Sequence, residues 1–276
     1  MSPQGVKLNL KLEFDMLQAH HISYAIDGKT LLEPLTVSLQ PGTMTAVLGP
    51  NGAGKSTLMA LLSGQNKPAT GSVTISEQPI RTIKPQDLAR RRAVLPQDTS
   101  VAFDYTVREV VELGRYPHRL QPSQDEGGIV SAAMLACEVD HLQHRVLNTL
   151  SGGEKARAQL ARVLTQIWDA PIDGESRWLL LDEPTAALDL SHQHQVMALA
   201  RRWAKQQGVG VVAVLHDVNL ALRYADDVLL LQRGAMVASG KPSEVLDVPT
   251  MQAVWGVEST AVQASDGVAQ RLISLV

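Results

Sequence analysis

The sequence is poor in cysteine and has no strong excess of either charge. Cys137 is the only cysteine among 276 residues, so no disulfide can form within one chain, which fits a reducing compartment. It lies in an apolar stretch that favours a helix, and we expect it to pack there rather than to react. The net charge is -3, from 25 basic and 28 acidic residues, and this disfavours a basic surface that binds nucleic acid.

Long apolar runs are also absent. No stretch approaches the roughly 20 apolar residues of a membrane-spanning helix, and the N-terminus lacks the apolar run of a signal peptide. We therefore expect a soluble chain that reaches any membrane process by docking onto another protein. Residues 1–15 differ in character from the segment that begins at Met16 and are predicted to be a leader. This leader could arise from an alternative start or an expression remnant, or it could be a flexible extension.

Short strand-like and helical segments alternate along most of the chain. Strands that alternate with helices form a parallel sheet covered on both faces, so we predict an α/β fold. Residues 98–167 are mainly helical and are predicted to be an insertion into it. We place the main domain at 17–253 and a C-terminal tail at 254–276. The predicted strands are 18–40 with a turn at Asp27-Gly28, 45–48, 72–77, 92–96, 178–182, 209–215 and 227–232, and the predicted helices include 56–62, 132–137, 153–164, 191–205 and 217–224.

A glycine-rich loop lies between the apolar strand at 45–48 and a helix. It fits the pattern G-x-x-x-x-G-K-S in full, because it consists of Gly49, Pro50, Asn51, Gly52, Ala53, Gly54, Lys55 and Ser56. Its glycines let backbone N–H groups turn inward toward phosphate oxygens, and the helix presents its positive end to the same anion. Lys55 should reach the β and γ phosphates, Ser56 should bind Mg²⁺, and Thr57 completes the predicted site. The loop alone leaves GTPases, kinases and ATPases open.

Two adjacent acids end an apolar strand further along the chain. The strand at 178–182 must be buried, so Asp182 and Glu183 should emerge at the carboxyl edge of the sheet, where ligands bind in open α/β folds. Alternation along a strand sends the two side chains in different directions. We predict that Asp182 orients Mg²⁺ and that Glu183 is the general base for the attacking water. The alternative is a pair of solvated acids.

The segment Leu150-Ser151-Gly152-Gly153-Glu154 makes the prediction more specific. It has the form of a helix N-terminus, with bare backbone N–H groups and a hydroxyl suited to an anion. With the phosphate loop before it and residues 179–189 after it, the chain resembles the ABC ATPase family over residues 17–250. The resemblance implies a P-loop NTPase core of the RecA-like type, an N-terminal antiparallel β subdomain and an inserted helical subdomain.

The same resemblance implies ATP hydrolysis by a homodimer with ATP and Mg²⁺ as cofactors. In that family two ATP molecules lie between two subunits arranged head to tail. Ser151, Gly152 and Gly153 of one copy would therefore contact the ATP held by Lys55 of the other copy.

Four further residues match positions of the family. Tyr24 stands where an aromatic ring stacks on adenine, with an ordinary half-buried strand tyrosine as the alternative. Gln97 matches a catalytic-site glutamine that senses Mg²⁺ and links to the membrane subunits. Asp189 matches the loop that crosses the dimer boundary. His216 matches the switch histidine that contacts the γ phosphate and positions the water.

Transport and non-transport ABC ATPases differ in their organisation. Repair-type members insert a long coiled coil between the phosphate loop and the signature, whereas the interval from Ser56 to Ser151 shows no heptads. Translation-type members generally carry two cassettes, and this sequence has one phosphate loop. We therefore favour a transport subunit on the cytoplasmic face of the bacterial inner membrane. Its implied partners are two transmembrane permease subunits and, indirectly, a periplasmic binding protein, with no nucleic acid.

Two segments resemble importers of a particular cargo class. Thr106-Val107-Arg108-Glu109, a predicted capping box, followed by Gly114-Arg115-Tyr116-Pro117-His118, is similar to a segment of iron-siderophore, haem and vitamin B12 importers. The loop at 166–178, just before the Asp182 strand, is similar to an insertion in haemin importer ATPases. Haemin import is the favoured function, with iron-siderophore or vitamin B12 import as the alternative.

Overall fold

Residues 15–98, 103–170 and 174–274 are described by the structure, which is a computed structural model. Apart from Asp15, the predicted leader lies outside these ranges. The strands are β1 (Leu17–Ile26), β2 (Lys29–Leu39), β3 (Met44–Leu48), β4 (Thr70–Ile75), β5 (Gln78–Pro79), β6 (Arg92–Leu95), β7 (Trp178–Asp182), β8 (Gly210–Val214), β9 (Asp227–Gln232), β10 (Ala235–Gly240), β11 (Glu258–Gln263) and β12 (Ala269–Ser274). The helices are α1 (Lys55–Leu62), α2 (Pro85–Arg91), α3 (Val107–Leu113), α4 (Glu126–Ala136), α5 (Gly152–Gln166), α6 (Leu190–Gln207), α7 (Val218–Tyr224), α8 (Pro242–Val245) and α9 (Val248–Trp255).

A central sheet carries the residues of interest. Within the described ranges its strand order is β10-β9-β3-β8-β7-β6, and every neighbouring pair is parallel except β9 with β10. β3 and β8 are buried along their whole length, which explains why both are short apolar runs without alternation. The α/β class predicted from the alternating pattern is confirmed.

A second, antiparallel sheet packs against one face of the central sheet. Its order is β2-β1-β4-β5, and its apolar side chains share a core with α1 and with one face of β3, β7 and β8. A separate core on the opposite face joins the central sheet to α6, α7 and the helical insertion. Both faces are therefore covered, as a parallel sheet requires.

The helical insertion begins with a capping box. Thr106 Oγ1 accepts from the backbone N–H of Glu109 at 3.3 Å, and Glu109 Oε2 accepts from the N–H of Thr106 at 2.8 Å, so the predicted capping box is confirmed. The same arrangement opens α5, where Ser151 and Glu154 cap each other. These reciprocal bonds satisfy donors that a helix start leaves free, which is why both helices begin where they do.

A buried arginine joins the two segments that resemble cargo-specific importers. Arg115 donates to both carboxylate oxygens of Glu126 at 2.7 and 2.8 Å and to Asp169 Oδ2 at 2.7 Å. Its hydrogen bonds lower the pKa of Glu126 to about 2. Asp169 lies in the predicted loop before β7, of which residues 171–173 lie outside the described ranges. The described residue Asp169 is thus connected to the segment around Arg115.

The first residues of β7 and β8 fit together closely. Trp178 pairs in register with Gly210, and the register continues to Asp182 opposite Val214. A Cβ atom built on Gly210 would lie 2.2 Å from the nearest ring carbon of Trp178, so the indole occupies the space that any other side chain would need. Trp178 is 1 % exposed, which makes this contact part of the core.

Several predicted boundaries needed correction. The strand predicted at 72–77 ends at Ile75, because Ser76 and Glu77 take positive φ angles of 50° and 64° in a turn toward β5. The helix predicted at 132–137 begins six residues earlier, at Glu126, where Asp125 caps the N–H of Gly128. Cys137 is buried, and burial raises the pKa of its thiol, as expected of a packing residue. None of the described helices has both the length and the apolar character needed to cross a membrane.

Candidate active site

A cleft of about 520 Å³ opens at the carboxyl edge of the central sheet. It brings together loops that follow four strands, β3, β6, β7 and β8, as expected at such an edge. Most of the predicted nucleotide and catalytic residues meet there, although they are distant in the sequence. The lining consists of Leu31, Asn51, Gly52, Ala53, Gly54, Lys55, Ser56, Thr57, Gln97, Glu183 and His216.

The phosphate loop requires glycine at two tightly packed positions. Gly49 has a φ of 147°, and a Cβ there would lie 2.1 Å from the carbonyl oxygen of Leu231 at the end of β9. Gly54, with a φ of 98°, precedes α1 and would bring a Cβ within 3.0 Å of the Leu31 carbonyl oxygen. Any side chain would displace the loop backbone whose N–H groups are expected to meet phosphate.

Lys55 stabilises the loop from inside. Its ammonium donates to the carbonyl oxygens of Gly49 at 2.8 Å and Pro50 at 3.0 Å, and the side chain is 6 % exposed. Burial lowers the pKa of Lys55, and the nearby carboxylates of Glu183 and Asp182 oppose that effect. The positive charge is therefore held within the phosphate loop, where it lines the cleft.

Asp182 and Glu183 point to different partners, as predicted, but the reason differs: β7 ends at Asp182, and Glu183 follows it with a positive φ instead of continuing the strand. Ser56 Oγ, which lines the cleft, donates to Asp182 Oδ1 at 3.4 Å, and Asp182 lies beside the cleft. Burial, with a smaller contribution from the charge of Glu183, raises the pKa of Asp182 despite this hydrogen bond. A buried carboxylate beside a hydroxyl is an environment that a cation would stabilise.

Glu183 lies between two of the other predicted catalytic residues. Its Oε1 is 2.7 Å from His216 Nε2, and its Oε2 accepts from Gln97 Nε2 at 3.1 Å. The residue has a positive φ of 53°, a strained conformation for a side chain with a Cβ, costing on the order of 1 kcal/mol. The surrounding fold thus holds the carboxylate in place, with a donor on each oxygen and the cleft in front of it.

The signature segment lies outside the 520 Å³ cleft. Ser151 is the N-cap of α5, where its Oγ accepts from the N–H of Glu154 at 3.3 Å. Gly152 and Gly153 pack against Ala187, in the loop after β7. Gly152 lines a neighbouring cleft of about 370 Å³, which also contains Gln97 and Glu183. The structure therefore leaves Ser151 and Gly153 apart from the phosphate loop of the same chain.

Asp189 and Tyr24 also lie outside the main cleft. Asp189 is the exposed N-cap of α6 and accepts from the N–H of His192 at 2.9 Å, while its carboxylate is 2.8 Å from His192 Nδ1. These hydrogen bonds lower the pKa of Asp189. Tyr24 is half-buried in β1 and pairs with Leu32 of β2, which is the next residue after the cleft-lining Leu31.

Comparison with known proteins identifies the family. The family model described as ABC transporter matches residues 32–186, which contain the phosphate loop, the signature and the Asp182-Glu183 pair. The chain belongs to the ABC transporter family. It is an ATP-binding subunit and an ATPase, and the family predicted from the order of its motifs is confirmed.

Curated relatives cover almost the whole of this ABC transporter subunit. The Hemin import ATP-binding protein HmuV of Burkholderia pseudomallei is 43% identical over 270 residues, covering 94% of this chain and 99% of that protein. The protein of the same name from Gloeobacter violaceus is 46% identical over 249 residues, covering 90% of each. Among solved structures, an inward-facing ABC transporter assigned to the metal-chelate type has a TM-score of 0.77 and 26% identity, covering 94% of this chain and 97% of that one.

Two contributors to the site of this ABC ATPase escaped the sequence reasoning. Leu31 lines the cleft from the β1–β2 hairpin, and nothing in its apolar surroundings marks it. Gly234 donates its N–H to the Ala53 carbonyl at 3.1 Å and accepts from Glu33 at 2.8 Å, so it ties the phosphate loop to β2. In the sequence, the Arg233-Gly234 pair indicates only a hairpin turn. Glycine at position 234 indicates a turn, but it does not show that this turn contacts the distant phosphate loop.

Replacing Tyr24 by alanine tests the predicted adenine contact. If the ring stacks on the base, we expect the dissociation constant for ATP to rise about two- to twelvefold, because aromatic stacking contributes about 0.5–1.5 kcal/mol. Titration calorimetry of the purified chain measures it. Tyr24→Phe keeps the ring and should bind as the wild type does. Unchanged affinity in Tyr24→Ala would support the alternative of an ordinary strand tyrosine.

Proposed function

We propose that the chain is the ATP-hydrolysing subunit of a bacterial importer for haemin. The observation that carries this is the similarity to proteins named for hemin import at 42% to 46% identity over 88% to 94% of the chain. The Arg115–Asp169 ion pair supports it, because it joins the two segments on which the resemblance to importers of this class rests.

Glu183, His216 and Gln97 are proposed to form the hydrolytic group. Glu183 takes a proton from the attacking water, since its carboxylate faces the cleft between two positioned side chains. His216 contacts the γ phosphate and holds the water in line. Lys55 and the loop N–H groups, from Gly49 to Thr57, bind the phosphates and disperse their charge.

The hydrogen-bonded pair Ser56 and Asp182, at the edge of the cleft, suits Mg²⁺. Ser56 and Asp182 provide the hydroxyl and carboxylate oxygens that this ion prefers, and Gln97 donates to the neighbouring Glu183. Burial raises the pKa of Asp182, and the hydrogen bond from Ser56 opposes this only in part. A divalent cation would favour the charged carboxylate. When bound, Mg²⁺ neutralises charge on the β and γ phosphates.

Two copies of the chain are proposed to close around two ATP molecules. The separation of Ser151 and Gly153 from the phosphate loop of their own chain supports this, because a second copy could bring them to the opposite face of the nucleotide. Asp189, exposed at the start of α6, would then lie at the boundary between the copies. Two permease subunits at the cytoplasmic face of the inner membrane, supplied by a periplasmic binding protein, complete the proposed transporter.

The cargo is tested by ATP hydrolysis in the assembled transporter. The chain is co-purified with its permease, reconstituted in vesicles with the binding protein, and supplied with haemin, an iron-siderophore or vitamin B12. We expect haemin to raise phosphate release several-fold and the other two to leave it unchanged. The same assembly carrying Glu183→Gln controls for contaminating ATPases. Stimulation by the siderophore or vitamin B12 alone would replace haemin by that alternative.

A further inference from the structure

The two last strands form a hairpin that packs on the helix next to His216. We call β11, β12 and the turn between them, residues 258–274, the C-terminal hairpin. β12 lies along α7, the helix that begins two residues after His216. The sequence predicted only an uncertain tail here, and the proposed hydrolytic group assigns this hairpin no role.

The hairpin contacts the first turn of α7 through a two-way hydrogen bond. The carboxamide of Asn219 donates from Nδ2 to the Arg271 carbonyl at 3.1 Å, and its Oδ1 accepts the Arg271 N–H at 2.7 Å. The backbone N–H of Asn219 is bonded to Asp217 Oδ1 at 2.7 Å. Asp217 directly follows His216, so one short chain of bonds connects the hairpin to the backbone of the histidine.

A second bond anchors the hairpin to the core. Arg271 Nε donates to the carbonyl oxygen of Leu246 at 2.6 Å, and Leu246 is 0 % exposed. Arg271 therefore joins a fixed point of the fold to Asn219. The bond from Asn219 to Arg271 is made to backbone atoms on the hairpin side, so its geometry does not depend on a flexible side chain there.

The helix that carries these contacts needs external support. α7 has seven residues, and a helix of that length is unstable by itself. Its buried side, which includes Val218, Leu220 and Ala221, fixes it on the core, but packing of apolar groups is not directional. The directional bonds at its first turn come from Asp217 at its N-cap and from the hairpin outside it.

The position of the His216 imidazole depends on the backbone at the start of α7. Its side chain is 47 % exposed, and the contact with Glu183 Oε1 at 2.7 Å holds it on one side. A small rotation of the first turn of α7 would move the imidazole along the cleft. Displacement of a catalytic group by about 1 Å can cost up to a hundredfold in rate.

We propose that the C-terminal hairpin orients His216 for ATP hydrolysis and that Asn219 is the positioning residue through which it acts. This rests on the proposed role of His216 in holding the attacking water. Neither Asn219 nor Arg271 lines the nucleotide cleft, so the effect passes through the first turn of α7 and leaves the binding of ATP unaltered.

Replacing Asn219 by alanine in the full chain tests the proposal. We expect kcat for ATP hydrolysis to fall about tenfold, with KM for ATP within about twofold of the wild type, because the nucleotide contacts are intact. Asn219→Asp keeps the acceptor for the Arg271 N–H and loses the donor to the Arg271 carbonyl. Its kcat should lie between those of the wild type and Asn219→Ala. Arg223→Ala is the matched control: it removes the exposed ion pair with Asp266 at the other end of α7, keeps the bond from the Val268 N–H to Asp266 inside the hairpin, and should change kcat less than about twofold.

A double-mutant cycle separates positioning from general stability. In a His216→Ala background, Asn219→Ala should cause no further loss of kcat, since there is no imidazole left to orient. An equal loss in both backgrounds, or wild-type kcat in Asn219→Ala, would overturn the proposal. Wild-type turnover in His216→Ala alone would instead show that the role of His216 is wrong. Thermal unfolding of each variant confirms that the compared chains are folded.

Discussion

Glu183→Gln is expected to lower the turnover of ATP by about 10²–10⁴-fold while ATP still binds. Glutamine has the shape of glutamate and can still accept from one neighbour, His216 or Gln97, so the cleft should keep its form. It lacks the charge and basicity needed to take a proton from water. Because binding persists without hydrolysis, the two copies should remain closed on ATP, which size-exclusion chromatography with ATP would detect as a dimer.

The control for Glu183→Gln is the same exchange at Glu33, an exposed residue of β2. Glu33→Gln should retain wild-type phosphate release. Wild-type turnover in Glu183→Gln would refute its assignment as general base, and the Gln97–Glu183–His216 contacts would then have a structural role only.

Lys55→Ala is expected to weaken ATP binding by about tenfold to a hundredfold. Hydrogen bonds to charged groups contribute about 1.5–3 kcal/mol, and each 1.4 kcal/mol corresponds to a factor of ten in the dissociation constant. The variant also loses the two bonds to the carbonyls of Gly49 and Pro50, so the loop itself should loosen. Equilibrium binding of a fluorescent ATP analogue measures the change.

Two further variants separate charge from volume in this prediction. Lys55→Met fills the same space without the charge, and should bind ATP as weakly as Lys55→Ala if the ammonium is what matters. Lys67→Ala removes an exposed lysine beyond α1 and should leave the affinity unchanged. Wild-type affinity in both Lys55 variants would contradict the assignment of the loop as the phosphate site.

The parts of the site that could be predicted are those in which the chemistry is local in sequence. The phosphate loop needs its glycines and lysine at fixed spacing, and an apolar strand that ends in Asp182-Glu183 must present them at the edge of the sheet. Parallel pairing then brings the carboxyl ends of β3, β7 and β8 to the same edge of the sheet. The meeting of Glu183 with His216 follows from that alignment.

Features that depend on contacts across the chain could not be predicted. Gly234 supports the phosphate loop through one bond to Ala53, and no spacing rule connects a hairpin turn with a loop almost two hundred residues earlier. The strands of the C-terminal hairpin are largely exposed and carry little apolar periodicity, so the tail gave a weak signal. Helix α4 began earlier than predicted because Gly127 and Gly128 lower helix propensity there and so hide its first turn in the sequence.

The packing of the Trp178 indole on Gly210 favours one register between β7 and β8. Sliding either strand by two residues would place Trp178 opposite a side chain, such as Val212, where the ring has no room. The observed register is thus favoured at the first residues of β7 and β8, at the opposite end of the strands from Glu183 and His216. In that alignment Glu183 after β7 and His216 after β8 come within 2.7 Å of each other. The fit of Trp178 on Gly210 therefore contributes to the geometry of this pair without lining the nucleotide cleft.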